Sequence, residues 1–134
     1  MPLLIQVVKY VTPRFMAASS VRNVYANDAK VTPELINRYW ELTLREGNRA
    51  AFVARLNQNT TTDDNWKNIH TITVPTLIQW GQHDALIPLN IAMRFHEDLA
   101  NDTLIVYSNA GHVPMEEIPA QTANDARVFL KKKN

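Results

Sequence analysis

Two runs of apolar, strand-forming residues separated by one helix-length of chain constrain this sequence more than any other feature. They are Pro75-Thr76-Leu77-Ile78-Gln79-Trp80 and Thr103-Leu104-Ile105-Val106-Tyr107, each with the length and residue types of a strand buried on both faces. Between them, Pro88 suits the first turn of a helix, and Ile91, Ala92, Phe95 and Leu99 recur at helical spacing to give one apolar face. Strand, helix and strand in that order form a crossover unit, which sets two parallel strands side by side and is right-handed in nearly every instance. The fold class is therefore α/β. Ligands of a parallel sheet collect where the strands hand the chain to loops at their carboxyl ends. The first run is followed by Gly81-Gln82-His83-Asp84 and the second by Ser108-Asn109-Ala110-Gly111-His112, so a carboxylate and an imidazole rise from the same sheet edge.

The stretch Val74 to Pro119 resembles the C-terminal part of the α/β-hydrolase fold family. Gly81 to Asp84 matches the G-x-x-D context of that family's triad acid. Gly111-His112-Val113-Pro114-Met115-Glu116-Glu117-Ile118-Pro119 matches the G-H-x-P-x-x-E-x-P context of its histidine. The Val74-Pro75-Thr76-Leu77 lead-in and Pro88 fit as well. The resemblance implies a catalytic acid at Asp84 and a general base at His112. Taken singly, Asp84 reads as a turn or capping residue and His112 as a loop histidine; taken together at matched strand ends, with the Pro114 to Pro119 pattern behind, the pair favours catalysis.

A serine hydrolase also needs a nucleophile, which in this family's chain order precedes the acid. The only glycines are Gly47, Gly81 and Gly111, so no G-x-S-x-G elbow can be written. Ser19, Ser20 and Ser108 lie outside such a context. The oxyanion donors that accompany the elbow are missing with it. The expectation is a partial α/β-hydrolase fold: a helical cap segment followed by the last parallel strands and helices (βαβα), as in a truncated fragment of a larger enzyme. Such a chain carries the acid and base of the triad and is inactive alone. The complete enzyme would act on a small, mostly apolar ester or a related C–C or C–O bond.

The 134 residues are 46% hydrophobic and 20% charged with a formal net charge of +1, a balance that implies no nucleic-acid partner. Lys131-Lys132-Lys133 ends a helix-like segment, where cations complement the dipole. With no cysteine, a thiol nucleophile, a disulfide framework and thiolate metal ligation are excluded. A reducing cytoplasm is compatible with that composition. The apolar start, Met1 to Val8, lacks a basic lead and a long apolar core, so neither a signal peptide nor a membrane span is expected. No cofactor is called for. A metal site from His83, Asp84 and His112 would need further ligands at spacings that the sequence does not show.

Upstream, residues 2 to 25 read as two short helices broken at Thr12-Pro13, the second carrying Phe15, Met16, Ala18 and Val21. Thr32 and Pro33 open a helix with Ile36, Tyr39, Trp40, Thr43 and Leu44 on one face, closed by Gly47. A short helix from Asn48 to Asn57 follows, with Ala51, Phe52 and Leu56, and then a polar run from Asn57 to Asp64. The division is residues 1–62 as a helical cap-like region and 63–134 as the core segment, with Trp66 and Ile69 packing on the way back to the sheet. Pro119 opens a final helix whose Ala123, Ala126, Phe129 and Leu130 are expected to cover that sheet.

Two other readings compete. One is a non-catalytic half-fold that binds a partner or forms a homo-oligomer through an exposed sheet edge or the cap helices. The other is a small-molecule binding module using Phe15, Trp40 and Phe52. His83 reads as an exposed loop residue, His70 and His96 as structural, and Glu117 as a hydrogen-bond partner of the loop backbone or a helix cap.

Overall fold

The computed structural model describes residues 11–57 and 64–133. The first of the two short helices expected upstream lies outside them, as does most of the polar run. Two compact units form: Met1–Arg22 with Val31–Asp63, and Asn23–Lys30 with Asp64–Asn134.

The first unit holds helices α1 (Arg14–Val24, whose last two residues pass into the second unit), α2 (Pro33–Leu44) and α3 (Asn48–Asn57). At the start of α2, the Thr32 hydroxyl accepts from Leu35 N at 3.2 Å and Pro33 takes the first helical position, where its missing N–H costs nothing. The helix ends at Leu44, and Gly47 lies in the following turn with φ of 83°. Trp40 Nε1 donates to Thr12 O at 2.8 Å and Arg14 Nε to Asn37 Oδ1 at 2.6 Å, tying the α1 entry to α2.

The buried stripe of α1 is Ala17, Ala18 and Val21. Phe15, expected on that face, is 72% exposed, because two residues turn a helix by about 200° and place it nearly opposite Ala17. Leu44 and Phe52 are exposed as well, while Ile36 and Val53 are buried.

The second unit is built on β1 (Thr76–Gly81) and β2 (Asp102–Tyr107), paired in parallel from Thr76 opposite Asp102 to Gly81 opposite Tyr107. Helix α4 (Leu89–Asp98) is the crossover and packs on both strands, with Ala92 fully buried and Leu99 nearly so. Pro88 is its N-cap. A 3-10 helix, Asp64–Thr71, precedes β1; the short α5 (Pro114–Glu117) and the long α6 (Pro119–Lys133) follow β2 and contact β1.

The strands are half-buried rather than enclosed on both faces, and Val106 is 38% exposed. Among the described residues the sheet has two strands, and the covering helices of so narrow a sheet cannot shield every position. Phe95 is likewise exposed.

The inner face of α6 also differs from expectation. Leu130 is exposed, as is Ala123, and the packed stripe runs through Thr122, Asp125, Ala126 and Phe129. Two polar residues are tolerated there because each is satisfied. Tyr107 Oη donates to Asp125 Oδ2 at 3.0 Å, and the Thr122 hydroxyl donates to Pro119 O at 3.2 Å and Ile118 O at 3.3 Å; Gln79 Nε2 donates to Tyr107 Oη at 2.7 Å and to the backbone oxygen of Thr122 at 2.9 Å. The network joins β1, β2 and α6 at the nearly inaccessible Tyr107.

Candidate active site

The two loops at the carboxyl ends of β1 and β2 are locked together by backbone bonds that extend the ladder beyond the strands. Gln82 N donates to Tyr107 O at 2.8 Å and His83 N to Ala110 O at 3.1 Å. This closeness needs glycine. A Cβ on Gly81 would stand 2.0 Å from Gly111 O and 2.5 Å from Ala110 O; one on Gly111 would stand 2.6 Å from Val24 O. All three distances lie far inside van der Waals contact, so the sequence G-x-x-D beside G-H is a condition for the loops to meet at all.

On that platform Asp84 and His112 come together, with Oδ2 and Nδ1 2.9 Å apart. The other carboxylate oxygen, Oδ1, accepts from Leu86 N at 2.9 Å and Ile87 N at 2.8 Å, and Trp80 Nε1 donates to Ile87 O at 3.2 Å, holding the loop to its strand. The Asp84 side chain is 4% exposed and that of His112 is 32% exposed. An acceptor-only carboxylate facing Nδ1 assigns the neutral ring's proton to Nδ1. Nε2 then keeps the lone pair that can take a proton from a reacting group.

Behind His112, its own N–H donates to Val24 O at 2.8 Å. The buried Glu117 accepts from Gly111 N through Oε1, and from Ala26 N at 3.0 Å and Asn27 N at 3.3 Å through Oε2. Glu117 thus bonds the loop backbone, the first of the two roles expected of it. The contribution of Val24 to Asn27 escaped sequence reasoning because it is made by backbone atoms, which leave no side-chain pattern. His83 and His70 are exposed, and His96 pairs with Asp102 at 2.9 Å, between the end of α4 and the start of β2. Among the described residues no group of three or more His, Cys, Asp or Glu side chains is placed to hold a metal ion, and no helix is long and apolar enough to cross a membrane.

The first unit has its own cleft of about 420 Å³, bordered among others by Met16, Ser20, Tyr39, Leu42, Arg49 and Phe52. Of the three aromatics expected to line a pocket, Phe52 does so, while Phe15 and Trp40 are not among its walls.

No family model matches the chain. Over 106 residues, 77% of this chain and 37% of the relative, it is 30% identical to the 2-hydroxy-6-oxononadienedioate/2-hydroxy-6-oxononatrienedioate hydrolase 2 of Pseudomonas putida. The structure is similar to that of CumD, a meta-cleavage product hydrolase of Pseudomonas fluorescens, with a TM-score of 0.80 at 20% identity, covering 96% of this chain and 49% of that one. It is similar also to CarC, a serine hydrolase involved in carbazole degradation, with a TM-score of 0.77 at 27% identity, covering 93% and 50%. The chain belongs to the α/β-hydrolase fold family.

This α/β-hydrolase chain spans about half the length of those two solved structures and just over a third of the Pseudomonas putida relative. Within it, Ser19 and Ser20 are exposed residues of α1 and Ser108 an exposed turn residue after β2.

Proposed function

We propose that this chain supplies the acid and base of a hydrolase whose nucleophile and oxyanion donors belong to the remainder of an α/β-hydrolase fold. The observation that carries the reading is the 2.9 Å contact between Asp84 Oδ2 and His112 Nδ1 at the carboxyl ends of adjacent parallel strands. In the complete site the nucleophile's proton passes to His112 Nε2 as the nucleophile adds to the substrate carbonyl. Asp84 stabilises the resulting imidazolium and stays ionised, and His112 then returns the proton to the leaving group. Water repeats the two transfers to release the acid product.

The substrate is a small, mostly apolar ester, or a compound cleaved at a related C–C or C–O bond. Supporting an apolar substrate, the loops that carry the pair expose Leu86, Ile87 and Met115, and a wet, charged substrate would gain nothing from them. The name of CumD speaks of a meta-cleavage product, whereas that of the Pseudomonas putida relative speaks of a dicarboxylate and lends no support to an apolar substrate; both names belong to those proteins.

The test is release of nitrophenol from short-chain nitrophenyl esters by the purified chain, its His112→Ala variant and a buffer blank. All three are expected at the same level, since the tetrahedral intermediate lacks both a nucleophile and donors worth about 2.7–4 kcal/mol each. Turnover lost in His112→Ala would relocate the nucleophile into this chain. Turnover untouched by His112→Ala would take the chemistry away from the pair and overturn the reading.

A further inference from the structure

Resting on the Asp84–His112 pair as the acid–base site, we infer that Glu117 is a positioning residue for His112 and that it acts through the strap Asn23–Lys30. The strap is an excursion of the chain: it leaves the first unit after Arg22, packs with the second, and returns at Val31. It meets the histidine loop at successive points. Val24 O takes the His112 N–H, Tyr25 Oη donates to Glu116 Oε2 at 2.7 Å, Ala26 N and Asn27 N donate to Glu117 Oε2, and Lys30 Nζ donates to Glu117 O.

One carboxylate therefore collects three N–H groups from two separate stretches of chain, with Gly111, the residue before the base, on one side and the strap on the other. The side chain is 4% exposed, so water cannot replace a donor or acceptor that is lost. No slack exists for the loop to shift instead, because a Cβ at Gly111 would already collide with Val24 O and Ala26 N, at 2.6 and 2.8 Å. His112 Nδ1 sits 2.9 Å from Asp84, a contact set by where the backbone of residues 111 and 112 is held. That backbone is held by Glu117 and the strap.

Glu117→Gln separates positioning from mere stability. The amide keeps the size but turns one acceptor oxygen into an NH2 group that faces N–H donors, so either Gly111 or the strap loses its partner. Nitrogen-15 NMR of the imidazole at neutral pH reads the tautomer of His112 directly, beside a thermal melt of the same sample. The wild type is expected to hold the Nδ1–H tautomer as its dominant form, and a folded Glu117→Gln to show a mixture of both tautomers with the Asp84 contact loosened. A folded Glu117→Gln with the wild-type tautomer would overturn the positioning role while leaving the pair intact. A wild type lacking the Nδ1–H form would instead remove the acid–base reading itself. Should Glu117→Gln not fold, Tyr25→Phe releases the strap from Glu116 and leaves Glu117 whole. A smaller tautomer shift is expected there, and none at all would overturn the proposal.

Discussion

Asp84 is held by more than its histidine. Two backbone N–H bonds to Oδ1 hold the carboxylate independently of His112, so it stands as a fixed acceptor against which the ring can be oriented. Asp84→Asn would present an NH2 group to one of its donors and let the imidazole adopt the opposite tautomer. The cost in a complete enzyme is about 10⁴ in kcat, as in the triad proteases. In this chain the same change is expected as a switch of His112 to the Nε2–H form, read by nitrogen-15 NMR.

Tyr107 gives a second prediction at the residue scale. Burial, reinforced by its bond to Asp125 and opposed by the Gln79 amide, pushes the phenol up from 10.0 to about 12. A raised folded-state value means that the neutral form is favoured by folding. Its contribution to stability is fully present below pH 10, falls as pH rises above it, and is lost once the folded value near 12 is passed. An ultraviolet phenolate titration should show one tyrosine lagging the others, and Tyr107→Phe should abolish that lag.

Among the elements, the loops after β1 and β2 depend on two glycines that no side chain can replace without displacing backbone. Gly81→Ala and Gly111→Ala are each expected to cost about 1–3 kcal/mol or more, as overpacking does, read as a fall in the urea midpoint. Thr32→Ala, which removes only the hydroxyl cap of α2, is expected to cost about 1 kcal/mol. An alanine at Gly81 as stable as wild type would mean that the loops do not approach as described.

These loops were legible in the sequence because their chemistry is local: a glycine, an acid and an imidazole each stand at a fixed offset from a strand end. Helices α2 and α4 were legible for the same reason, through Thr32-Pro33 and Pro88 with their apolar spacing. The α6 face was not, since Asp125 looks like a solvent residue until Tyr107, distant in sequence, supplies its partner, and Thr122 does so until its hydroxyl turns back onto Ile118 O and Pro119 O. The strap was invisible because Val24, Ala26 and Asn27 bond through main-chain atoms, and Tyr25 and Lys30, which bond through side chains, lie 91 and 87 residues from their partners. The exposure of Phe15 reflects a choice between two overlapping helical stripes that periodicity alone does not make.

Across the whole molecule, the main feature is a narrow parallel sheet that leaves apolar side chains in water, Val106 on β2, Phe95 on α4, and Ile72 and Val74 on the approach to β1. β1 carries no charged residue between Thr76 and Gly81 and no proline within it, so it lacks the usual guards against pairing with another strand. Self-association of the free chain is the expected outcome, checked by sedimentation at tens of micromolar; a clean monomer there would contradict it. On the function proposed above, the same surface would pack against the remainder of an α/β-hydrolase fold.

That proposal sets the decisive measurement. A chimera in which these 134 residues replace the matching half of a solved esterase relative, 46% of whose chain they cover at 21% identity, unites the pair with a nucleophile and its oxyanion donors. Ester turnover by a chimera folded by circular dichroism is predicted, with a fall of at least about 10³-fold in kcat on His112→Ala. Turnover by that folded chimera surviving His112→Ala unchanged would contradict the assignment of this chain as the acid–base half of a hydrolase.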